Sequence, residues 1–254
     1  MIYGMYLSTG GAVGEAHRAD VIANNLANAS TPGFRPQTAS FREVLSEAAA
    51  RRGAGGGGGG GVDQLGGGVR MVETATIDRA GAIVQTGRPL DLAIRGEGYF
   101  AVEEAGRVVY TRNGSFVLSS SGQIVTPDGR GRLMGAGGPV TLPNADVKVS
   151  LDGVITGKTA EGETEEYGRL AVWRFGEGEL TRAGGGFVPR SGASPAASRS
   201  EVIQGSVELA AVEPVREMTD LIEAFRAFEA NMQFIRIQDQ TLARAASDIA
   251  RLPG

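Results

Sequence analysis

The sequence contains no cysteine, one histidine and one tryptophan among its 254 residues. The absence of cysteine excludes disulfides, thiolate catalysis and cysteine-based metal sites. His17 is the single histidine, so a histidine-based metal site or a catalytic triad would need unusual ligands. The sequence therefore offers few of the residues that metal sites and catalytic triads commonly use.

Long apolar runs and dense basic clusters are also missing. No run of about eighteen apolar residues occurs, which predicts that no segment inserts into a membrane. The N-terminus lacks the basic and then apolar layout of a cleavable secretory signal, so secretion would need another route. Lysine and arginine form no block and the net charge is −4, so we expect no nucleic-acid partner.

Patterns that resemble ligand sites fail on spacing. Lys158 and Thr159 follow a glycine as in a P-loop, but Gly153 and Gly157 enclose three residues instead of four. The acidic segment 161–166 lacks the spacing of a calcium loop. We therefore expect no cofactor, no metal and no enzyme activity. The 29 acidic residues still allow paired carboxylates, which keeps a secreted β-rich cell-wall hydrolase as the alternative from another class.

The segment from Glu213 to Ala250 is predicted to form one long helix. Pro214 suits its first turn, and apolar residues recur at steps of three and four with one interruption at Asp239. A seam of period 3.5 over such a length is typical of a coiled coil, although a long core helix fits this stretch equally well. The seam residues are Leu221, Phe225, Phe228, Met232, Ile235, Leu242, Ala246 and Ile249.

Residues 3 to 28 are predicted to form a second helix with a seam of mainly small side chains. Each of its glycines weakens the helix by roughly 1 kcal/mol relative to alanine, so it needs a partner to form. The bulky seam of the C-terminal helix is the natural partner, because small and large side chains interdigitate. The glycines are Gly4, Gly10, Gly11 and Gly14.

The C-terminal helix also has apolar residues off its main seam, namely Met218, Ile222 and Ile237. Burial of apolar area contributes roughly 25 cal/mol per Å², so this second flank favours association. Identical subunits that meet head-to-tail without closing a ring form a helical filament. We therefore expect a helical assembly.

The end of the first helix is rich in asparagine. Asn24 and Asn28 share one helix face and Asn25 is offset from it. The amides either cap the helix end or form a self-satisfying network at a helix contact. Thr31-Pro32-Gly33-Phe34 is predicted to be a turn, since proline presets φ and glycine accepts a positive φ.

The fold class is predicted to be α+β, with paired N- and C-terminal coiled-coil helices and an inserted all-β domain. Residues 1–52 and 206–254 form the helical layer, with a short helix from Phe41 to Arg52. Residues 53–68 contain eleven glycines and are interpreted as a flexible linker. Residues 69–205 alternate in short β-like runs, and Asn113-Gly114 predicts a type I′ hairpin turn.

Three separated motifs resemble the family of bacterial flagellar rod and hook axial proteins. They are Asp20–Asn28 with Thr31, Gly33 and Phe34; Leu90–Phe100 with Tyr110–Phe116; and the C-terminal segments Val202–Ser206, Glu217–Met218, Leu221–Phe228 and Asp239–Leu242. The resemblance covers most of the chain, and the glycine run departs from it.

The resemblance implies a structural subunit of the flagellar basal-body rod. Its terminal helices would surround a narrow central channel, with the β domain outside, and would transmit torque from motor to hook. The implied partners are copies of itself, other rod proteins and the flagellar type III export apparatus, which would account for the missing cleavable signal.

Within the family, the single modest β domain argues against a hook protein. The segment from Ala27 to Arg35 is most similar to a proximal-rod member, and a distal-rod member is the runner-up. Outside the family, a trimeric coiled-coil adhesin is disfavoured, because it would normally carry a signal peptide and longer uninterrupted heptads. The predicted assembly interface consists of Asn24, Asn25, Leu26, Asn28, Thr31, Gly33, Phe34, Met218, Leu221, Ile222, Phe225, Phe228, Met232, Ile235 and Leu242.

Overall fold

The computed structural model describes residues 2–43, 69–144, 146–158 and 163–249. Its helices and strands confirm the predicted α+β class. The chain divides into two compact units, each built from separate stretches of sequence. Unit 1 comprises Met1–Ala27, Pro36–Ile77 and Glu213–Gly254, and unit 2 comprises Asn28–Arg35 and Asp78–Val212.

The described residues of unit 1 form two long helices and one pair of strands. Helix α1 spans Ile2–Ala27 and helix α2 spans Pro214–Ile249, as the apolar periodicity predicted. Pro214 begins α2, where its missing N–H group leaves no hydrogen bond unmade. Strands β1 (Gln37–Glu43) and β2 (Val69–Thr76) pair in antiparallel fashion.

The short helix predicted from Phe41 is wrong at its start, because Phe41 lies in β1 and pairs with Met71. Its ring packs over Gly14 of α1, where an added Cβ would lie 3.3 Å from the ring carbon Cε1. Strand pairing and this contact override the helical spacing of the apolar residues. Residues 44–52 and the predicted linker at 53–68 lie outside the described residues. Strand β2 belongs to the helical unit rather than to an all-β domain that begins at residue 69.

Unit 2 is built from short antiparallel strands. In chain order they are β3 (Ile83–Gln85), β4 (Leu92–Arg95), β5 (Tyr99–Glu104), β6 (Arg107–Thr111), β7 (Val117–Leu118), β8 (Ile124–Val125), β9 (Gly131–Gly135), β10 (Gly138–Pro139), β11 (Val147–Val149), β12 (Val154–Lys158), β13 (Thr164–Arg169), β14 (Val172–Arg174), β15 (Leu180–Ala183), β16 (Gly186–Pro189), β17 (Ala196–Ala197), β18 (Glu201–Gln204) and β19 (Ser206–Glu208).

The largest sheet of unit 2 has the strand order β15-β16-β6-β5-β9-β8-β7, with β10 beside β9 and with β14 pairing β5 and β17. A three-stranded sheet has the order β11-β12-β13, and two further ladders join β18 to β4 and β19 to β3. The main core lies between these sheets, around the fully buried side chains of Phe100, Leu133 and Ile155. Ladders β18–β4 and β19–β3 pair the last strands of the unit with its first two.

The hairpin predicted at Asn113-Gly114 is wrong. A type I′ turn needs positive φ at both central residues, and neither residue has one. The segment instead turns toward β4, where the Leu92 N–H donates to the Gly114 carbonyl at 2.9 Å. An added Cβ on Gly114 would lie 1.6 Å from the Leu92 oxygen, so the glycine serves a close backbone approach.

Candidate functional site

Helices α1 and α2 pack against each other within unit 1. The centre of their contact consists of Ala19 and Ile22 on α1 and the fully buried Ala224 on α2, with Leu221 beside them. Small side chains at this point let the two backbones approach closely. Polar side chains occupy the contact toward either end, which the apolar pattern of the sequence did not predict.

Two glycines of α1 make room for amide side chains of α2. An added Cβ on Gly4 would lie 2.7 Å from Gln238 Nε2, and one on Gly11 would lie 3.0 Å from Asn231 Oδ1. Both distances are shorter than ordinary van der Waals contact. The glycines that weaken α1 as an isolated helix therefore lie where these amide side chains pack closely against it.

Asn25 is a buried amide that joins three segments of unit 1. Its Nδ2 donates to the Gln37 carbonyl at 2.8 Å and to Glu217 Oε2 at 3.3 Å. Its Oδ1 accepts the Gln37 N–H at 2.9 Å. The side chain thus satisfies both backbone groups of Gln37 at the start of β1 and contacts the first turn of α2.

Asn25→Asp is expected to destabilise unit 1 by about 1–3 kcal/mol, because the Gln37 carbonyl would lose its donor and two carboxylates would meet. Thermal melting followed by far-UV circular dichroism reports the two helices directly. The double variant Asn25→Asp with Glu217→Gln reverses donor and acceptor and should recover part of the loss. An unchanged melting curve for the single variant would contradict the assigned hydrogen bonds.

The turn at Thr31–Phe34 lies inside unit 2. The Gly33 N–H donates to the Glu208 carbonyl at 2.8 Å, and the Ala211 N–H donates to the Phe34 carbonyl at 3.0 Å. Gly33 has a φ of +68° and Phe34 is buried. The segment that follows α1 in sequence is therefore bonded to the strand that precedes α2.

A buried ion cluster surrounds this contact. Glu208, which is 2% exposed, pairs through Oε1 with Arg35 Nη1 at 3.0 Å and through Oε2 with Arg112 Nη1 at 3.2 Å. The Gly81 N–H also donates to Glu208 Oε1 at 2.8 Å. We call Arg35, Arg112 and Glu208 the buried triad. It joins three segments that are far apart in sequence.

Other contacts surround the buried triad. Arg112 Nη2 donates to the Gly96 carbonyl at 2.6 Å. Burial lowers the pKa of Arg112, and the neighbouring Glu208 carboxylate partly offsets that decrease. Arg182 lies over the Phe34 ring at 4.2 Å and donates from Nη1 to the Arg35 carbonyl at 2.9 Å. Burial also raises the pKa of Tyr99, whose ring faces Arg112. Hydrogen bonds to backbone carbonyls thus hold the guanidinium groups of Arg112 and Arg182 in place.

The predicted interface residues divide into three groups by exposure. Asn24, Met218, Ile222 and Phe225 are exposed, and Asn25, Gly33 and Phe34 are buried in contacts of this chain. Partly buried are Leu26, Asn28, Thr31, Leu221, Phe228, Met232, Ile235 and Leu242.

A stripe of exposed apolar residues runs along the first part of α2. Val215, Met218, Ile222 and Phe225 follow one another at steps of three and four, so they share one helix face. Phe225 is 53% exposed, whereas its neighbour Ala224 faces α1. We call these four residues the α2 stripe. Further along α2, Phe228, Met232 and Ile237 line a groove of about 700 Å³.

Sequence reasoning missed the buried triad and the amides of Gln238 and Asn231. Each triad residue lies within or beside a motif already singled out, but no local pattern links positions 35, 112 and 208. Heptad spacing would have found the amides, since Asn231 and Gln238 are seven residues apart. They were passed over because only apolar residues were assigned to the seam.

Within the described ranges, no group of three or more His, Asp or Glu side chains could hold a metal ion. Gly157 and Lys158, considered above for a P-loop, lie in strand β12. None of the helices described is both long and apolar enough to cross a membrane. The features that stand out are thus contacts between helices, the buried triad and the exposed α2 stripe.

The three motif regions match models of flagellar axial proteins. Residues 5–35 match the family described as flagella basal body rod protein. Residues 93–157 match the flagellar hook protein FlgE/F/G D1 domain, and residues 203–248 match the flagellar basal body rod FlgEFG protein C-terminal region. The first and last matches cover most of α1 and α2, and the middle match runs from β4 to β12 of unit 2.

Full-length relatives extend the similarity over nearly the whole chain. Flagellar basal-body rod protein FlgG of Bacillus subtilis is 32% identical, covering 95% of this chain and 97% of that protein. Flagellar basal-body rod protein FlgF of Salmonella typhimurium is also 32% identical, covering 96% of this chain and 97% of that protein. The chain belongs to the flagellar basal-body rod protein family. Relatives of both names match at the same identity, so the comparisons do not separate FlgF from FlgG.

Proposed function

We propose that this protein is a structural, non-enzymatic subunit of the flagellar basal-body rod. The single observation that carries the proposal is the end-to-end similarity to rod proteins of several bacteria. The exposed α2 stripe supports it, because an apolar helix face of this kind favours burial against another subunit. Its partners are copies of itself and other rod proteins.

In this proposal α1 and α2 form a coiled-coil layer that assembles helically and transmits torque from motor to hook. The α2 stripe docks on the neighbouring subunit, while Asn25, Gly33 and Phe34 act inside the chain. The sequence similarity of residues 27–35 favours a proximal-rod protein of the FlgF type, with a distal-rod protein of the FlgG type as the alternative. Export by the flagellar type III apparatus is part of the same proposal.

Phe225→Asp is expected to weaken assembly on the order of a hundredfold, because a carboxylate would be buried in an apolar contact. Since Phe225 is half exposed in the single chain, the variant should fold normally. Incorporation into purified basal bodies and motility of the cells measure the effect. Rods that incorporate the variant as well as the wild type would contradict the role of the stripe.

The matched control is Leu151→Asp. Leu151 is an equally exposed apolar side chain, but it lies in a turn of unit 2. It should assemble and support motility like the wild type. A peptidoglycan-digestion assay on the purified wild-type protein tests the hydrolase alternative, and measurable lysis would overturn the non-enzymatic assignment.

A further inference from the structure

The contacts between α1 and α2 repeat at a fixed interval. From one polar contact to another, the position moves along α1 by seven or fourteen residues and back along α2 by the same number. This is the repeat expected of two antiparallel helices that keep one face toward each other. The contacts are Gly4 with Gln238, Gly11 with Asn231, and Asn25 with Glu217.

The remaining step of seven falls at Arg18 on α1 and Ala224 on α2. Ala224 is fully buried at the centre of the helix contact. Each pair of facing residues forms one layer of the contact. In the two layers nearest the N-terminus of α1 the small residue is a glycine of α1, whereas in the next layer it is Ala224 of α2. This change of sides makes the order of small and large residues specific to one alignment of the helices.

A shift by one heptad disrupts this order in either direction. Moved one way, the amide of Asn231 would meet the side chain of Arg18, where α1 has no glycine. Moved the other way, Ala224 would face Gly11, which leaves a void where Asn231 packs in the observed alignment. Both shifts also separate Asn25 from Glu217, which are hydrogen-bonded in the observed alignment.

The amides add a polar reason for the same alignment. Gln238 Oε1 is buried without a hydrogen-bond partner among the described residues, so this oxygen adds no hydrogen bond to the contact. A buried polar side chain at one layer of a helix pair commonly fixes alignment at some cost in stability. Stability and alignment are therefore set by different residues. Apolar packing at Ala19, Ile22 and Ala224 stabilises the helix pair. The size and polarity of the side chains in the other layers set the alignment.

We propose that Gly11 and Asn231 are specificity-determining residues that fix the register of α1 against α2. This pair admits the observed alignment and disfavours those one heptad away, which place Asn231 against Arg18 or Gly11 against Ala224. The inference concerns pairing within one chain, so it holds or fails independently of the proposed role in the rod.

The absence of natural cysteine allows register to be read by disulfide formation in the full chain. The pair Ala19→Cys with Ala224→Cys reports the observed alignment, because these residues share one cluster. The pair Ala12→Cys with Ala224→Cys reports the alignment one heptad away. In an otherwise unchanged chain, the first pair should oxidise at least about tenfold more efficiently than the second.

Gly11→Leu should reverse this preference. A leucine at that position collides with Asn231 in the observed alignment but faces Ala224 in the shifted one. Oxidation of the first cysteine pair should fall about tenfold and that of the second should rise. Adding Asn231→Ala should restore the first pair. Thr9→Leu, at an exposed position of α1, is the matched control and should change neither yield.

Three results would overturn the proposal. The first is a Gly11→Leu chain that keeps the original cysteine preference. The second is a failure of Asn231→Ala to restore it. The third is that the Ala19→Cys and Ala224→Cys pair does not oxidise even in the parent chain, which would mean that the helices do not hold this alignment. Fluorescence of Trp173, the single tryptophan, verifies in each variant that unit 2 remains folded.

Discussion

Glu208→Gln is expected to lower the free energy of unfolding of unit 2 by about 3–5 kcal/mol. The glutamine keeps the shape of the side chain but removes the negative charge between Arg35 and Arg112. Both arginines are as deeply buried as Glu208, so neither can regain water without opening the fold. Domains are usually stable by about 5–15 kcal/mol, so the loss is a large part of the total.

The measurement is urea unfolding followed by two probes. Trp173 packs against the cluster of Ala101, Tyr110 and Phe187 in unit 2, so its fluorescence follows that unit alone. Far-UV circular dichroism is dominated by α1 and α2 and follows unit 1. We expect the fluorescence transition to move to lower urea concentration, with its slope unchanged.

Glu201→Gln is the matched control for the same substitution. Glu201 pairs with Arg95 at 3.2 Å, but both side chains are largely exposed. Exposed ion pairs contribute about 0–1 kcal/mol, so this variant should unfold almost as the wild type does. Equal effects of the two variants would show that the buried triad has no special energetic role.

Gly33→Ala is expected to destabilise unit 2 by about 2–5 kcal/mol. Part of the cost is the positive φ of +68°, which an L side chain adopts unfavourably. The larger part is a collision, because an added Cβ would lie 2.2 Å from the carbonyl carbon of Arg112 and 2.4 Å from the Asn113 nitrogen. These are backbone atoms, so they cannot rotate away as a side chain would.

Gly129→Ala separates the two contributions to that cost. Gly129 has a similar φ of +72°, but nothing lies within 4 Å of an added Cβ. This control should cost only the conformational part, about 1–2 kcal/mol. The fluorescence-detected urea transition of Trp173 compares the two variants directly. If Gly33→Ala cost no more than Gly129→Ala, the close approach to Arg112 would not matter for stability.

The parts of the fold that follow from local pattern were predicted well. Both long helices are confirmed, because helix formation depends on residues that are close in sequence. The hairpin at Asn113-Gly114 failed because a contact with Leu92, distant in sequence, overrides the turn signal. The helix at Phe41 failed for the same kind of reason, since its partner strand begins beyond residue 68.

The apolar periodicity identified the seam of α2 but misjudged which side of α2 faces α1. It assigned Phe225 to the contact on hydrophobicity, whereas the structure buries Ala224 against α1. At this contact the small side chain of Ala224 packs with Ala19 and Ile22 of α1. Size complementarity between two helices cannot be derived from either helix alone. Asn231 and Gln238 were missed for a different reason, since only apolar residues were assigned to the seam.

The buried triad also bears on when this chain can finish folding. Arg35 and Glu208 belong to the same compact unit, yet most of the sequence of unit 2 separates them. A ribosome releases the N-terminal residues first, so Arg35 emerges long before the carboxylate that neutralises it. Contacts between such distant residues close slowly, since a long loop must be ordered before they form. Unit 2 therefore stays incomplete until its last strand, β19, has been made.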